Sequence, residues 1–219
     1  MKISKRNKII LGLVILLALS YSSYRFIKTI NPNPNFKVGQ KLDSLNGVYV
    51  YYNGGVDHVE KRNLTPDGYN LGLKYQCVEF VKRYYYEHYK HKMPDSYGNA
   101  KDFFDPSVKD GDLSKRRNLY QSTNPSKRIP VTGDLIVMDG HSGNPYGHVA
   151  IVSGVNVVEG SVEIIQQNPG PFAPSRVSFG LTHLASLQGD SSGTWKIESE
   201  RILGWLSKKE EVSSFHVKP

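Results

Sequence analysis

The sequence predicts an α+β protein in which a helical N-terminal half packs on an antiparallel β-sheet. Two observations carry that prediction. An apolar stripe with helical spacing lies early, over residues 77–90, and short apolar runs separated by turn residues crowd the chain after residue 130. A third observation sets one segment apart: eleven apolar residues, 9–19, follow a cluster of cations at the N-terminus.

Taken in order, Lys2, Lys5, Arg6 and Lys8 precede IILGLVILLAL, a run with no polar face to show to water. A basic stretch followed by such a run is the pattern of an export signal. Counting residues 20–24 lengthens the candidate to sixteen residues. A spanning helix wants roughly 20, and Tyr21, Tyr24 and the flanking cations suit the membrane boundary. Residues 1–28 are therefore expected to form a signal or membrane anchor, read as one uncleaved helix with the domain outside the cytoplasm. The alternative is a cleaved signal, with Ala18 and Ser20 at the cleavage site and a secreted or periplasmic product. No cysteine directly follows the run, which excludes a lipoprotein anchor. Asn31-Pro-Asn-Pro-Asn35 marks a linker over 29–39, expected as an extended tether, because two prolines remove donors and bias their predecessors to open geometry. A folded domain is expected over 40–207 and a tail over 208–219.

Within the domain, residues 47–52 (GVYVYY) read as a strand closed by Asn53-Gly54-Gly55. Residues 77–90 read as a helix with Val78, Val81 and Tyr85 on one stripe, Phe80 and Tyr84 beside it, and Lys82 and Arg83 off it. Residues 93–129 read as irregular, punctuated by Asp95, Gly98, Pro106, Gly111 and Pro125. Strands are then expected over 134–138, 148–153, 162–167, 176–179 and 194–197, parted by Gly154, Gly160, Pro169-Gly170 and Ser192-Gly193.

Composition narrows the function. A length of 219 residues suits one globular unit plus extras, and 11% aromatic with 22% charged residues is not a disordered composition. One cysteine excludes an internal disulfide and a zinc site needing two or four thiolates, and neither a metal nor a cofactor is expected. The net charge of +8 falls largely on the first 28 residues, which supply six of the eight charges. The weakly basic remainder does not predict nucleic-acid binding.

The chemistry is expected at Cys77, the first turn of the predicted helix. Unpaired N–H groups and the positive dipole end favour a thiolate there and can hold a tetrahedral oxyanion. A thiol nucleophile needs a base, and His148 opens an apolar strand directly after Tyr146-Gly147, at the edge of a sheet. A third polar group must then fix the imidazole tautomer, and the strand ending Ile164-Ile-Gln-Gln-Asn168 lies one hairpin later.

Gly72-Leu-Lys-Tyr-Gln-Cys77-Val-Glu-Phe-Val-Lys-Arg-Tyr-Tyr85 closely resembles the nucleophile helix of CHAP domains, the cysteine, histidine-dependent amidohydrolases/peptidases. Ile129-Pro-Val-Thr-Gly-Asp-Leu-Ile-Val137 resembles their lead-in strand, and Gly147-His-Val-Ala-Ile-Val152 their histidine strand. Asn46-Gly-Val-Tyr49, Gln166-Gln-Asn168 and Leu203-Gly-Trp205 are most similar to the amidase half of bifunctional glutathionylspermidine synthetase/amidases. The resemblance spans about residues 40–206. It implies a papain-like (NlpC/P60-type) fold and a Cys-His thiol mechanism, with Cys77 as nucleophile and His148 as general base and later acid. The family's orienting acid falls on Gln166 and its following asparagine on Asn168, so an amide stands where the family has a carboxylate. The Cys77 backbone N–H is the implied oxyanion donor, with the Gln76 side chain as helper.

The implied substrate is a peptide or amide. Peptidoglycan stem peptide suits an exported domain, and a glutathionylspermidine-like amide suits the motif similarity. The chain is expected to act as a monomer, bound to the membrane through its N-terminal segment, without nucleic acid. The alternative is a catalytically weakened CHAP fold serving as a cell-envelope binding or scaffold module, motivated by Gln166. Other polar residues are read as structural. His141 is a loop group or a substrate contact; His88 and His91 are solvated at a helix end. Glu79 is a structural or entrance carboxylate, residues 84–86 pack the helix, and Asp134 caps a strand. Asn63-Leu-Thr65 matches a glycosylation triplet that recurs by chance.

Overall fold

A computed structural model describes residues 4–186 and 193–208. The first helix, α1 (Lys5–Ile27), is capped by Ser4, whose Oγ accepts from the Asn7 N–H at 3.3 Å. It outruns the apolar stretch at both ends, and none of its residues is buried. Its 23 residues rise about 34 Å, so by length and composition α1 can cross a membrane; a signal sequence would meet the same test.

The segment after α1 is docked and not an open tether. Asn33 is buried and donates from Nδ2 to the Pro171 carbonyl at 2.9 Å, while Tyr52 donates its hydroxyl proton to Asn31 Oδ1 at 2.8 Å. Asparagine amides next to proline find partners that proline itself cannot offer.

Two hairpins follow, β1 (Lys41–Leu45) with β2 (Val48–Tyr51) and β3 (Arg62–Leu64) with β4 (Asn70–Leu73). Asn46 and Gly47 both take positive φ, 49° and 81°, the backbone that a two-residue hairpin turn requires. Next comes α2 (Cys77–Tyr89), then β5 (Leu113–Ser114), β6 (Leu119–Thr123), β7 (Leu135–Met138), β8 (His148–Asn156), β9 (Ser161–Ile165), β10 (Arg176–Leu184), β11 (Thr194–Ile197) and β12 (Ile202–Ser207). The last eight strands form one antiparallel sheet in the order β11-β10-β9-β8-β7-β12-β6-β5. The fold class is α+β. The front half, however, holds one α-helix of the body, one 3-10 turn (Lys101–Phe103) and two hairpins.

The sheet is apolar on both faces. Val137, Val149, Ile151 and Ile165 meet Phe80, Val81, Tyr84 and Tyr85 of α2. Ile136, Ala150, Val152, Ile164 and Trp205 face the opposite side, where Leu181 and Ile197 cover them. The sheet curls on itself: Trp195 in β11 exchanges backbone hydrogen bonds of 2.6 and 3.0 Å with Ser126, just past β6.

Two expectations need correction and a third is extended. Residues 93–129 contain β5 and β6, and β6 pairs with β12 inside the sheet. Its buried Gln121 satisfies its amide on the Asp105 and Val108 carbonyls, so the strand carries a polar residue where an apolar one was sought. Lys82 and Arg83, read only as off the apolar stripe, are also buried; Lys82 Nζ donates to the carbonyls of Asn70 and Ser96. His91 is buried on the Arg117 carbonyl at 2.9 Å, whereas His88 is exposed.

Candidate active site

Helix α2 opens at Cys77, with Gln76 at the cap position in extended geometry and no side-chain cap bond. The first-turn N–H groups are thus free of side-chain capping. Cys77 is half-buried as a residue, and its sulfur approaches the backbone N–H groups of Val149, Val78 and Cys77 itself. Burial pushes its thiol up, and those N–H groups pull the other way without reversing the shift. The expected lowering by the helix end is therefore outweighed by desolvation.

Val149 follows His148, the first residue of β8, which pairs with Met138 at the end of β7. The turn before it needs glycine. Gly147 has φ +77°, and a Cβ there would lie 2.5 Å from the Met138 carbonyl oxygen and 2.8 Å from Lys101 Cβ. His148 is buried, and desolvation lowers its pKa to about 4, with a smaller push in the same direction from Arg201.

Gln166, just beyond β9, accepts from His148 at 3.0 Å between Nε2 and Oε1. Its own Nε2 donates to the Pro174 carbonyl at 3.1 Å, which fixes the amide so that oxygen faces the ring. An acceptor there requires the proton on His148 Nε2, leaving Nδ1 with its lone pair. That is the tautomer a general base needs. Glu163, the nearest carboxylate in sequence, is engaged elsewhere, by Ser153 at 2.7 Å and Arg176 at 2.9 Å.

The remaining expected residues lie around this group in different ways. Asn168 has φ +57° and turns its Nδ2 to the Val56 carbonyl at 2.9 Å and to Gln76 Oε1 at 2.7 Å, away from His148. Gln76 spends its Nε2 on the His58 carbonyl at 2.7 Å. The two amides form one brace between α2, the residue 53–58 loop and the end of β9. His141 is exposed in the loop between β7 and β8, its Nδ1 accepting from the Gly143 N–H at 3.2 Å.

Sequence reasoning missed the buried network behind Cys77. Glu79 pairs with Arg83 at 2.7 Å, and its carboxylate also accepts from Asn63 at 2.8 Å and Gln167 at 2.9 Å. Gln167 further donates to the Gln76 carbonyl at 3.0 Å and accepts the Tyr51 N–H at 2.8 Å. Arg83 reaches the Tyr49 carbonyl at 2.8 Å. One buried amide thereby ties α2, β2 and the end of β9 together, and the Glu79 carboxylate is held inside that network. Asn63 is occupied within the same network.

Comparison with known proteins bears on the family. Residues 67–168, a span holding Cys77, His148 and Gln166, match the family model of the CHAP domain, so the resemblance read from the sequence holds. The chain is also 29% identical over 152 residues to glutathionylspermidine synthase of Crithidia fasciculata, a match covering 66% of this chain and 20% of that protein. These matches support a hydrolase family of amidase type. Two solved structures are similar over 39% of this chain and 31% of theirs at 24% identity: "The crystal structure of Ly7917" and "The crystal structure of Ly7917 with the hydrolyzing product of MDP", with TM-scores of 0.25 and 0.26.

Proposed function

We propose that the protein is a cysteine-dependent amidohydrolase or peptidase of papain-like fold, its catalytic domain over 40–207, anchored by α1 with that domain outside the cytoplasm. The observation that carries the reading is the hydrogen bond from His148 Nε2 to Gln166, beside a sulfur that meets the N–H of Val149. With the thiol pushed up and the imidazole down, the resting pair is neutral. The Cys77 proton passes to His148 Nδ1 as sulfur attacks the amide carbon. The oxyanion takes the Cys77 backbone N–H, and the leaving amine receives the proton from His148. Water, deprotonated by the same nitrogen, then cleaves the thioester and regenerates the thiol. Gln76 and Asn168 act as positioning residues for the α2 end, and His141 stands apart as a substrate contact at the loop.

The substrate is a peptide or amide: peptidoglycan stem peptide, on the side of the membrane where the domain is placed, or a glutathionylspermidine-like amide, on the similarity to that synthase. Full-length protein in detergent, incubated with purified peptidoglycan and with glutathionylspermidine, tests it. Cys77→Ala and His148→Ala should each lower turnover by about 10³-fold or more while thermal stability is kept. A second reading, an envelope-binding scaffold, is favoured by the neutral amide at Gln166. Wild-type protein that binds peptidoglycan, cleaves neither substrate and loses nothing on Cys77→Ala would establish it instead.

A further inference from the structure

Resting on the membrane anchor of that reading, we infer that the face around the mouth of the site lies on the bilayer that α1 crosses. The end of α1 passes into a strap, residues 28–33, that is bonded to three loops. Lys28 and Arg25 pair with Asp57 at 3.3 and 3.9 Å. The Lys28 carbonyl accepts from the Asp57 N–H at 3.0 Å, and the Thr29 carbonyl meets His58 Nδ1 at 3.2 Å. Lys28 Nζ donates to the Gly143 carbonyl at 3.3 Å, and Asn33 reaches Pro171. These loops are the ones that build the site. The first supplies the Val56 and His58 carbonyls to Asn168 and Gln76, the second leads into His148, and the third runs from Asn168 to Pro174, the partner of Gln166. The membrane end of α1 and the Cys77–His148–Gln166 group share one scaffold.

Two observations select lipid as the occupant of this face. Each loop carries an exposed apolar side chain, Val59, Tyr146 and Phe172, the last 72% exposed, and Ile30 joins them from the strap. Aromatic and aliphatic tips beside Arg25 and Lys28 are the composition of a membrane interface. Reach is the second. Tyr24, at the apolar boundary, lies four helical residues from Lys28, about 6 Å of rise and no more than one headgroup layer. Loops bonded to Lys28 cannot stand clear of that layer. Val158, 98% exposed, sits beyond the far end of β8, roughly 30 Å along the strand from His148, and marks a face that points elsewhere. A site so placed receives amides carried at the membrane surface.

Full-length Phe172→Trp and Val158→Trp proteins are reconstituted in vesicles of phosphatidylcholine and phosphatidylglycerol, with or without phosphatidylcholine brominated on its upper acyl chain. The emission of Trp195 and Trp205 is subtracted using wild type. Tryptophan at 172 should lose about half its emission to brominated lipid, as expected for a side chain seated at the headgroup–acyl boundary, and tryptophan at 158 none. Gly55→Ala, added to Phe172→Trp, should restore emission, because a Cβ at Gly55 would lie 2.2 Å from the Lys28 carbonyl and evict the strap. Should that variant unfold, Asn33→Ala loosens the strap at another point, by removing its bond to the Pro171 carbonyl. Vesicle-bound protein with neither position quenched, or with both quenched alike, overturns the inference and leaves the anchor intact. Protein that does not stay with vesicles defeats the anchor reading itself.

Discussion

The two sides of the site are built on opposite electrostatic terms. Behind Cys77, Glu79 and Arg83 form a buried ion pair, closed by Asn63 and Gln167. Around His148 the partner is a neutral amide, and burial holds the imidazole neutral. Charge is thus used where it fixes one backbone against another and withheld where the proposed mechanism moves a proton. In the proposed mechanism a neutral resting pair would make charge during the reaction instead of storing it beforehand. The cost is a base whose conjugate acid is poorly stabilised; the gain is a tautomer set by a single well-anchored amide.

The largest effect should come from breaking the charged side. Arg83→Met leaves Glu79 buried with amide donors only, and losing one partner of a buried pair costs about 3–5 kcal/mol. Urea denaturation should read that loss, and Cys77 alkylation should become heterogeneous as the start of α2 loosens. A loss below about 1 kcal/mol would mean that Asn63 and Gln167 alone hold the carboxylate, and the contrast between the two sides would weaken.

The neutral side should show itself through pH. His148 titrates near 6.5 unfolded and about 4 folded, so the unfolded chain binds more protons between those values. Its contribution to stability is complete above pH 6.5 and lost as pH falls toward 4, up to about 3 kcal/mol. His91 is also shifted down by burial and adds to the same slope. Comparison of wild type with His148→Gln over that window isolates the site, and the variant should show the shallower loss. Equal slopes would mean that His148 keeps its ordinary pKa in the folded state and that burial does not hold it neutral; a contribution of opposite sign would mean a charged resting pair.

How much of this was legible follows from where partners lie in the chain. Cys77, His148 and the stretch that carries β9 into Gln166 stand out in the sequence because each motif is local and each sits at an element's edge. The burial of Lys82 and Arg83 does not: Arg83 has a local partner in Glu79, but the carbonyls of Ser96 and Tyr49 that enclose the two cations are brought in by segments remote in sequence. Gln166 and Gln167 are indistinguishable as letters. Neighbouring residues of an extended chain point to opposite sides, and only the register of β9 decides which amide meets the imidazole and which meets Glu79. Burial of the thiol, which outweighs the helix end, is likewise a property of packing and not of spacing.

The smallest effect is the sharpest test of the contrast. Gln166→Glu places a carboxylate against His148, stabilising the imidazolium and, through it, the thiolate, so the histidine pKa should rise from about 4 and the Cys77 thiolate fraction near neutral pH should increase. The amide does a second task, however: its Nε2 donates to the Pro174 carbonyl at 3.1 Å, and a carboxylate turns an oxygen toward that carbonyl instead. Losing the donor and leaving the carbonyl unpaired should cost about 1–3 kcal/mol of stability. The turnover gain is therefore bounded at about tenfold, or roughly 1.4 kcal/mol in the barrier. Paired measurements of alkylation rate against pH and of urea stability separate the two effects. Greater thiolate with lower stability means that glutamine is kept because one side chain must both accept from the imidazole and donate to Pro174. Unchanged thiol reactivity in Gln166→Glu and Gln166→Ala alike would make Gln166 a bystander and move the orienting role to Asn168, despite its turn toward Val56.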